Sequence, residues 1–345
     1  MIKEMEKALK RYLKGKNRIT MGVVVAFLLG SSFAFGDVTV KYEDSTIKIL
    51  DNSGTITEIG TVTKNSANEF TWTLPEGVDI NETVIIDDSI NTNNIKVNIV
   101  NNGNIDMTNS SGTTDFTGNG IVSNIPTDPS ISTDSPELNS LIGNIINNGT
   151  IVGSSSSGKN SGNGIFAYSK PNINSSTGII TSNSTIGNIT NNGTISGSIK
   201  NAEYGGNGVF CFSETSSSII GNIINYGSII GSDPGGGGYT GNGIFCYSET
   251  SSSRIRKIEN YGIISGSSTD GYDSGNAIHA YSTKEATIGD VVNYGTIKGK
   301  DGISSYSENR ATIGDIANYG IISSTRNGIN IESYGVNIAI GDITN

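Results

Sequence analysis

IGNIINNGTI, residues 142–151, joins two isoleucine-bearing segments of strand length through a polar Asn-Asn-Gly bend. The phrase returns as TIGNITNNGTI from Thr185, IIGNIINYGSI from Ile219, RIRKIENYGII from Arg254, TIGDVVNYGTI from Thr287 and TIGDIANYGII from Thr312. A partial copy, AIGDITN, ends at Asn345. Each copy is followed by a second phrase: GNGIFAYS from Gly162, GNGVFCFS from Gly206, GNGIFCYS from Gly241, GNAIHAYS from Gly275, DGISSYS from Asp301 and NGINIES from Asn327. The bend glycines Gly149, Gly193, Gly227, Gly262, Gly295 and Gly320 are spaced 44, 34, 35, 33 and 25 residues apart. The shortest spacing sets the unit, and the excess is inserted loop.

A unit near 25 residues with three short apolar segments is too short for three hairpin-linked antiparallel strands. Its apolar positions alternate instead of following a 3.6-residue period, which excludes helical repeats, and the scarcity of leucine excludes leucine-rich ones. The pattern predicts an all-β chain, a right-handed parallel β-helix in which each segment pairs with its counterpart one repeat away. Its repeats are expected over 141–345. Residues 37–140 read as an amino-terminal β cap with irregular first coils: VTVKYEDSTIKI and EFTWTLPEGVDI close the edge, VNIVNNGNIDM and GNGIVSNI form a degenerate copy, and Pro126, Pro129 and Pro136 mark a protruding loop.

Period two assigns faces. Ile145, Ile189, Ile223, Ile258, Val291 and Ile316 are expected to stack inward, as are Ile151, Ile195, Ile229, Ile264, Ile297 and Ile322. In the third segment Ile165, Val209, Ile244, Ile278, Ile303 and Ile329 face inward and lead to a serine column that begins at Ser169. The intervening Phe166, Phe210, Phe245, His279, Ser304 and Asn330 are then expected outside. Asn147, Asn191, Asn225, Asn260, Asn293 and Asn318 fall two residues after an inward isoleucine, so they are expected to form a buried amide ladder. The glycine beyond each bend is expected to take positive φ.

The first 36 residues differ in kind. Seven basic residues, Lys3 to Arg18, precede GVVVAFLLG, and Ala34 and Gly36 have the spacing of a cleavage site between Gly36 and Asp37. The apolar run is shorter than the roughly 20 residues a spanning helix needs. Cleavage would take the net charge from −10 to −15 by removing seven basic and two acidic residues. So acidic a surface repels phosphates, and nucleic acid is not expected as a partner.

This long basic leader, KALKRYLKGKNRITMGVVVAFLL, followed by Ile/Asn/Gly repeats, resembles fusobacterial-type (type V) autotransporters. The resemblance implies an exported passenger, displayed at the cell surface or outer membrane, that adheres to a host or bacterial surface protein or glycan. It also implies a carboxy-terminal β-barrel, and no segment here has the ten-residue alternating strands of one. The chain therefore reads as lacking its downstream part.

Candidate chemistry is sparse, and no enzyme, cofactor or metal is expected. His279 is the sole histidine, with no nucleophile or orienting carboxylate beside it in sequence. Asp87 and Asp88 are adjacent and so point to opposite faces of a strand, unlike an acid pair. Asp290, Asp315 and Asp342 share one column and form either a weak calcium locus or a solvated corner. PGGGGYTGNG, from Pro234, lacks the lysine and helix of a phosphate loop and reads as a flexible insertion. Cys211 and Cys246 are expected as buried stacked thiols. Two aromatic columns, Tyr226, Tyr261, Tyr294 and Tyr319, and Tyr168, Phe212, Tyr247, Tyr281 and Tyr306, are expected as exposed stripes able to bind sugars or proteins. The alternative function is a secreted β-helical carbohydrate-active enzyme, which needs clustered acidic and basic groups in one groove.

Overall fold

The computed structural model describes residues 34–345 apart from several short stretches, the longest being 124–139. The leader, the Gly36/Asp37 junction, Asp88 and the Pro126–Pro136 segment lie outside the described residues. The rest is all-β, built on two long sheets dominated by parallel pairs, with no α-helix of more than two residues.

Strands pair repeat to repeat in register, with a single one-residue shift between Gly299 and Asp301 among the parallel pairs described. Ile99, Ile145, Ile189, Ile223, Ile258, Val291 and Ile316 occupy one register position along the first strand of each repeat. Ile105, Ile151, Ile195, Ile229, Ile264, Ile297 and Ile322 do the same in the second. Apart from half-buried Ile322, these residues are buried in one continuous core. The β-branched side chains pack on a pleated surface where identical neighbours stack.

Parallel stacking begins well before residue 141. Glu69–Leu74 pairs in parallel with Lys96–Asn101, and Ile121–Ser123 lies between Val84–Ile86 and Ile165–Ser169. EFTWTL is therefore itself a stacked strand next to the edge of its sheet, with Phe70, Trp72 and Leu74 buried where later repeats carry isoleucine, valine or asparagine. Two antiparallel hairpins, Val38–Glu43 with Thr46–Leu50 and Thr61–Ser66 with Glu69–Leu74, lie at this end of the stack, and a third, Asn172–Asn174 with Gly178–Ile180, forms a small sheet of its own. Trp72 Nε1 donates to the Ile59 carbonyl at 2.8 Å, so the one tryptophan ties this end down with its polar edge satisfied.

The bend glycines are required for a reason other than the one expected. None takes the left-handed conformation; instead, a Cβ on Gly193 would lie 1.9 Å from the Gly149 carbonyl oxygen, and one on Gly227 equally close to Gly193. Close approach between repeats, not φ, excludes a side chain here. Positive φ belongs to the first glycine of the other phrase, Gly118, Gly162, Gly206, Gly241 and Gly275, at 66–70°.

The third strand departs furthest from simple alternation. Ile165–Ser169, Val209–Ser213 and Ile244–Ser248 are buried at every position. One face joins the main core. The other builds a second apolar cluster of Phe166, Tyr168, Phe210, Phe212, Phe245 and Tyr247 with Val122 and Tyr204.

Candidate interaction surface

At the bend, the asparagine ladder runs unbroken. Asn101 Nδ2 donates to Asn147 Oδ1, and the bond repeats at 2.8 Å through Asn191, Asn225, Asn260, Asn293 and Asn318. Asn318 donates in turn to Asn345. Each interior amide also donates to the carbonyl two residues on and to one in the next repeat, as Asn260 does to Gly262 and Thr296. All are fully buried from Asn101 to Asn293, and each amide thereby finds acceptors within the bend, beside the backbone N–H that the bend glycine carbonyl also accepts from the next repeat.

A second buried ladder went unread in the sequence although it lies in the quoted GNG phrase. Asn119, Asn163, Asn207, Asn242 and Asn276 each accept the backbone N–H of their counterpart one repeat on, at 2.9–3.1 Å, ending on Asp301. Burial acts to raise the Asp301 carboxyl, but bidentate pairing with Arg326 overrides it and holds the group below its ordinary range.

The next residue along the bend forms the surface. Asn192 donates to Asn148, and Asn148 to Asn102, at 2.7 Å; from Tyr226 on, the column turns aromatic. Tyr226, Tyr261, Tyr294 and Tyr319 are 42–63% exposed. Their centroids lie 4.9–5.0 Å apart with planes within 16° of parallel. Exposed Ile263 and Ile321 flank the row. Because each ring covers its neighbour's face, what the row offers a partner is ring edges and phenol hydroxyls, with open faces only at its ends. Partial desolvation, followed by the nearby Glu259 carboxylate, pushes the Tyr261 hydroxyl up, so it remains a neutral donor.

The other aromatic column is not an exposed stripe. Tyr168, Phe212 and Tyr247 are at most 6% exposed, and Phe166, Phe210, Phe245 and His279 are fully buried. Tyr281 and Tyr306 are half-buried. Inserted loops supply the cover: Phe116, Tyr204 and Tyr239 lie two residues before the positive-φ glycines, themselves at φ 58–65°. Tyr204 stacks on Phe212 and Tyr247, and Tyr239 on Phe245 and Tyr247. Asp233 organises the PGGGGYTGNG insertion by accepting the Gly235 and Gly236 amides and the Thr240 hydroxyl, so this loop is a built structure. Burial pushes the Tyr204 hydroxyl up to about 12 and raises Tyr168 and Tyr247 further.

The remaining candidates fall into structural roles. Asp87 Oδ1 accepts the Ser89 amide. Asp290 and Asp315 accept the backbone N–H of Asp315 and Asp342, as Asn98, Asn144 and Asn188 do in earlier repeats. No three metal-binding side chains converge among the described residues. His279 lies in the buried layer, stacked on Phe245 at 5.1 Å, with burial driving its pKa down. Cys211 and Cys246 are buried free thiols paired in register. Ionisable groups gather at the rim of the second cluster: Glu214 accepts the Tyr168 hydroxyl, Lys159 lies 3.9 Å from Glu203 and over the Tyr204 ring, and burial, then Glu214, raises Glu249. Comparison with protein-family profiles, curated proteins and solved structures finds no match to this chain.

Proposed function

We propose that the chain is a right-handed parallel β-helical module, exported by its basic leader, that works without catalysis as a cell-surface scaffold of autotransporter type, meeting a host or bacterial surface protein or glycan. The observation carrying this reading is the exposed tyrosine row: four aromatic side chains held in register by a buried amide ladder one residue away, flanked by exposed Ile263 and Ile321. Right-handed winding follows from the strong bias of parallel crossovers. A fixed array of phenol hydroxyls and apolar ring edges suits a repetitive or flat partner better than a small substrate.

Expressed with its leader in a bacterium, the protein should be recovered outside the inner membrane beginning at Asp37. Cytoplasmic protein retaining Met1 would overturn export. Beads carrying the purified chain should adhere to cells, and a variant with serine at all four tyrosines should not; equal adhesion would overturn the role of the row.

A carbohydrate-active enzyme is the second reading, favoured by Glu214 and Glu249 on equivalent turns of successive repeats. It requires polysaccharide cleavage that Glu249→Gln abolishes.

A further inference from the structure

The bend that carries the exposed tyrosines keeps one length throughout: Ser228 follows Asn225 by three positions, as Thr150 follows Asn147 and Ile321 follows Asn318. Insertions open at other places in the repeat, after Ser155, Ile199, Asp233 and Ser268. The corner at Tyr226, Tyr261, Tyr294 and Tyr319 therefore holds rings that are packed against one another and yet exposed to solvent. In the second apolar cluster the same kind of packing comes with burial.

Register fixes how the phenols meet. Asn225 pairs with Asn260 and Ser228 with Ile263 on either side of the first junction, so Tyr226 and Tyr261 leave equivalent bends in the same direction; the next two junctions repeat this. At centroid separations of 4.9–5.0 Å, with planes within 16° of parallel, the carbon beside each phenol oxygen faces its counterpart on the next ring. Exposed rings have room to turn across that gap. Two phenols held this way need no diffusion to meet, which favours the ortho carbon-to-carbon coupling that follows one-electron oxidation of tyrosine. Tyr204 and Tyr239 stack as well, at 5.2 Å and within 5°, but they pack into the loop-covered cluster.

We propose that the tyrosine row is a site of oxidative cross-linking, at which hydrogen peroxide acting through a haem peroxidase joins neighbouring repeats as dityrosine. Each of two phenols gives up one electron and its hydroxyl proton. The two phenoxyl radicals bond through their ortho carbons, and transfer of the displaced ring hydrogens to the oxygens restores both phenols. Each link removes two hydrogens from the protein while one peroxide is reduced to two waters. The links close loops of 35, 33 and 25 residues, so they restrain the unfolded chain as disulfides do. The surface-scaffold reading bears only on where such an oxidant would be met; coupling is measured on the purified chain without a partner, so adhesion and cross-linking fail independently.

The purified full chain, treated in dilute solution with a haem peroxidase and hydrogen peroxide, should develop dityrosine fluorescence while remaining monomeric. Peptide mass mapping should find Tyr226 joined to Tyr261, Tyr261 to Tyr294 or Tyr294 to Tyr319, each pair two hydrogens lighter than its separate peptides. Tyr261→Phe keeps the ring but removes two of the three junctions, so the yield of row links should fall about threefold. Tyr226→Phe with Tyr294→Phe leaves no adjacent phenols in the row and should abolish the row links while retaining the unmodified melting curve. Absence of dityrosine in the unmodified chain would overturn the proposal. So would links confined to dimers that disappear on dilution, links at Tyr204 and Tyr239 in preference to the row, or fluorescence undiminished in the double variant.

Discussion

Repeats with inserted loops and repeats without them use one inner frame and treat its outside in opposite ways. From Ile165 to Ser282 the outward column reads Phe166, Phe210, Phe245 and His279, all buried, with Phe116 stacked on Phe166, Tyr239 on Phe245, and Tyr204 on Phe212 and Tyr247 of the adjoining column. In the short repeats the same column holds Ser304 and Asn330, and Tyr306 is half-buried, meeting Tyr334 edge-on. The strands are alike; under the loops this column is aromatic and joins a second apolar cluster, whereas beyond them it holds polar residues, of which Ser304 is still buried. A parallel strand can therefore belong to one apolar cluster or two, depending on residues that lie outside the repeated motif.

The largest test of this contrast is Phe210→Ala. Phe210 stacks at 5.0 Å on both Phe166 and Phe245 and is fully buried, so urea unfolding should show a loss of about 3–5 kcal/mol. Ser304→Ala, at the matching site beyond the loops, should be within about 1 kcal/mol of neutral, because the Ser304 hydroxyl is buried without a partner. Equal costs at the two sites would remove the distinction between the regions.

Next comes the ladder that both regions share. Asn260→Ala removes the donor to Asn293 Oδ1, one acceptor of the Asn225 amide and one donor to the carbonyls of Gly262 and Thr296, with an expected cost of about 1–3 kcal/mol. Asn318→Ala, at a half-buried position, should cost less. A neutral Asn260→Ala would mean that backbone pairing alone holds the bend.

His279 stands at the boundary and sharpens the comparison through pH. Burial holds its folded pKa below the ordinary value near 6.5, against the opposing influence of Asp273 and the Ser304 carbonyl. The unfolded state therefore takes up the proton first, and the contribution present above about pH 6.5 is lost as pH falls toward the depressed folded value. His279→Phe, which restores the residue of the preceding repeat, should flatten the stability curve between about pH 6.5 and 5. An unchanged slope would show that His279 titrates freely and is not sealed.

The smallest expected effect is at the thiols. Their column also accepts Ala167 and Ala280, so Cys246→Ala should cost about 1 kcal/mol. Burial, and then the neighbouring Cys211, pushes the Cys246 thiol up. Alkylation should be slow until the protein unfolds; rapid labelling of the native chain would show the core open there.

Much of the inner frame could be read from the chain because each repeat templates the next: Ile258 and Asn260 occupy positions set by six neighbours of the same kind. What covered the third strand could not be read that way. Tyr204 and Tyr239 sit in insertions of unequal length, and Phe210 looks outward by period two whatever lies over it. Residues 69–74 hid their place in the stack for a different reason, since Phe70, Trp72 and Leu74 fill the core with shapes that an isoleucine template does not match. The asparagines of GNG were visible, but their fixed register, not their identity, was the signal.

The outer corner column from Asn98 to Asp342 bears on chemical ageing. Asn98, Asn144 and Asn188 engage the next repeat through Oδ1, and Asp290 and Asp315 do the same. Conversion of such an asparagine to aspartate by amide hydrolysis would keep that acceptor and add only charge, so this corner can deamidate without losing its shape. In the inner ladder the nitrogen itself donates to three acceptors at Asn260, and in the GNG column the one natural carboxylate, Asp301, comes with Arg326. A surface of this composition would then grow more acidic with time while its amide spine stays intact, protected by the burial that made it necessary.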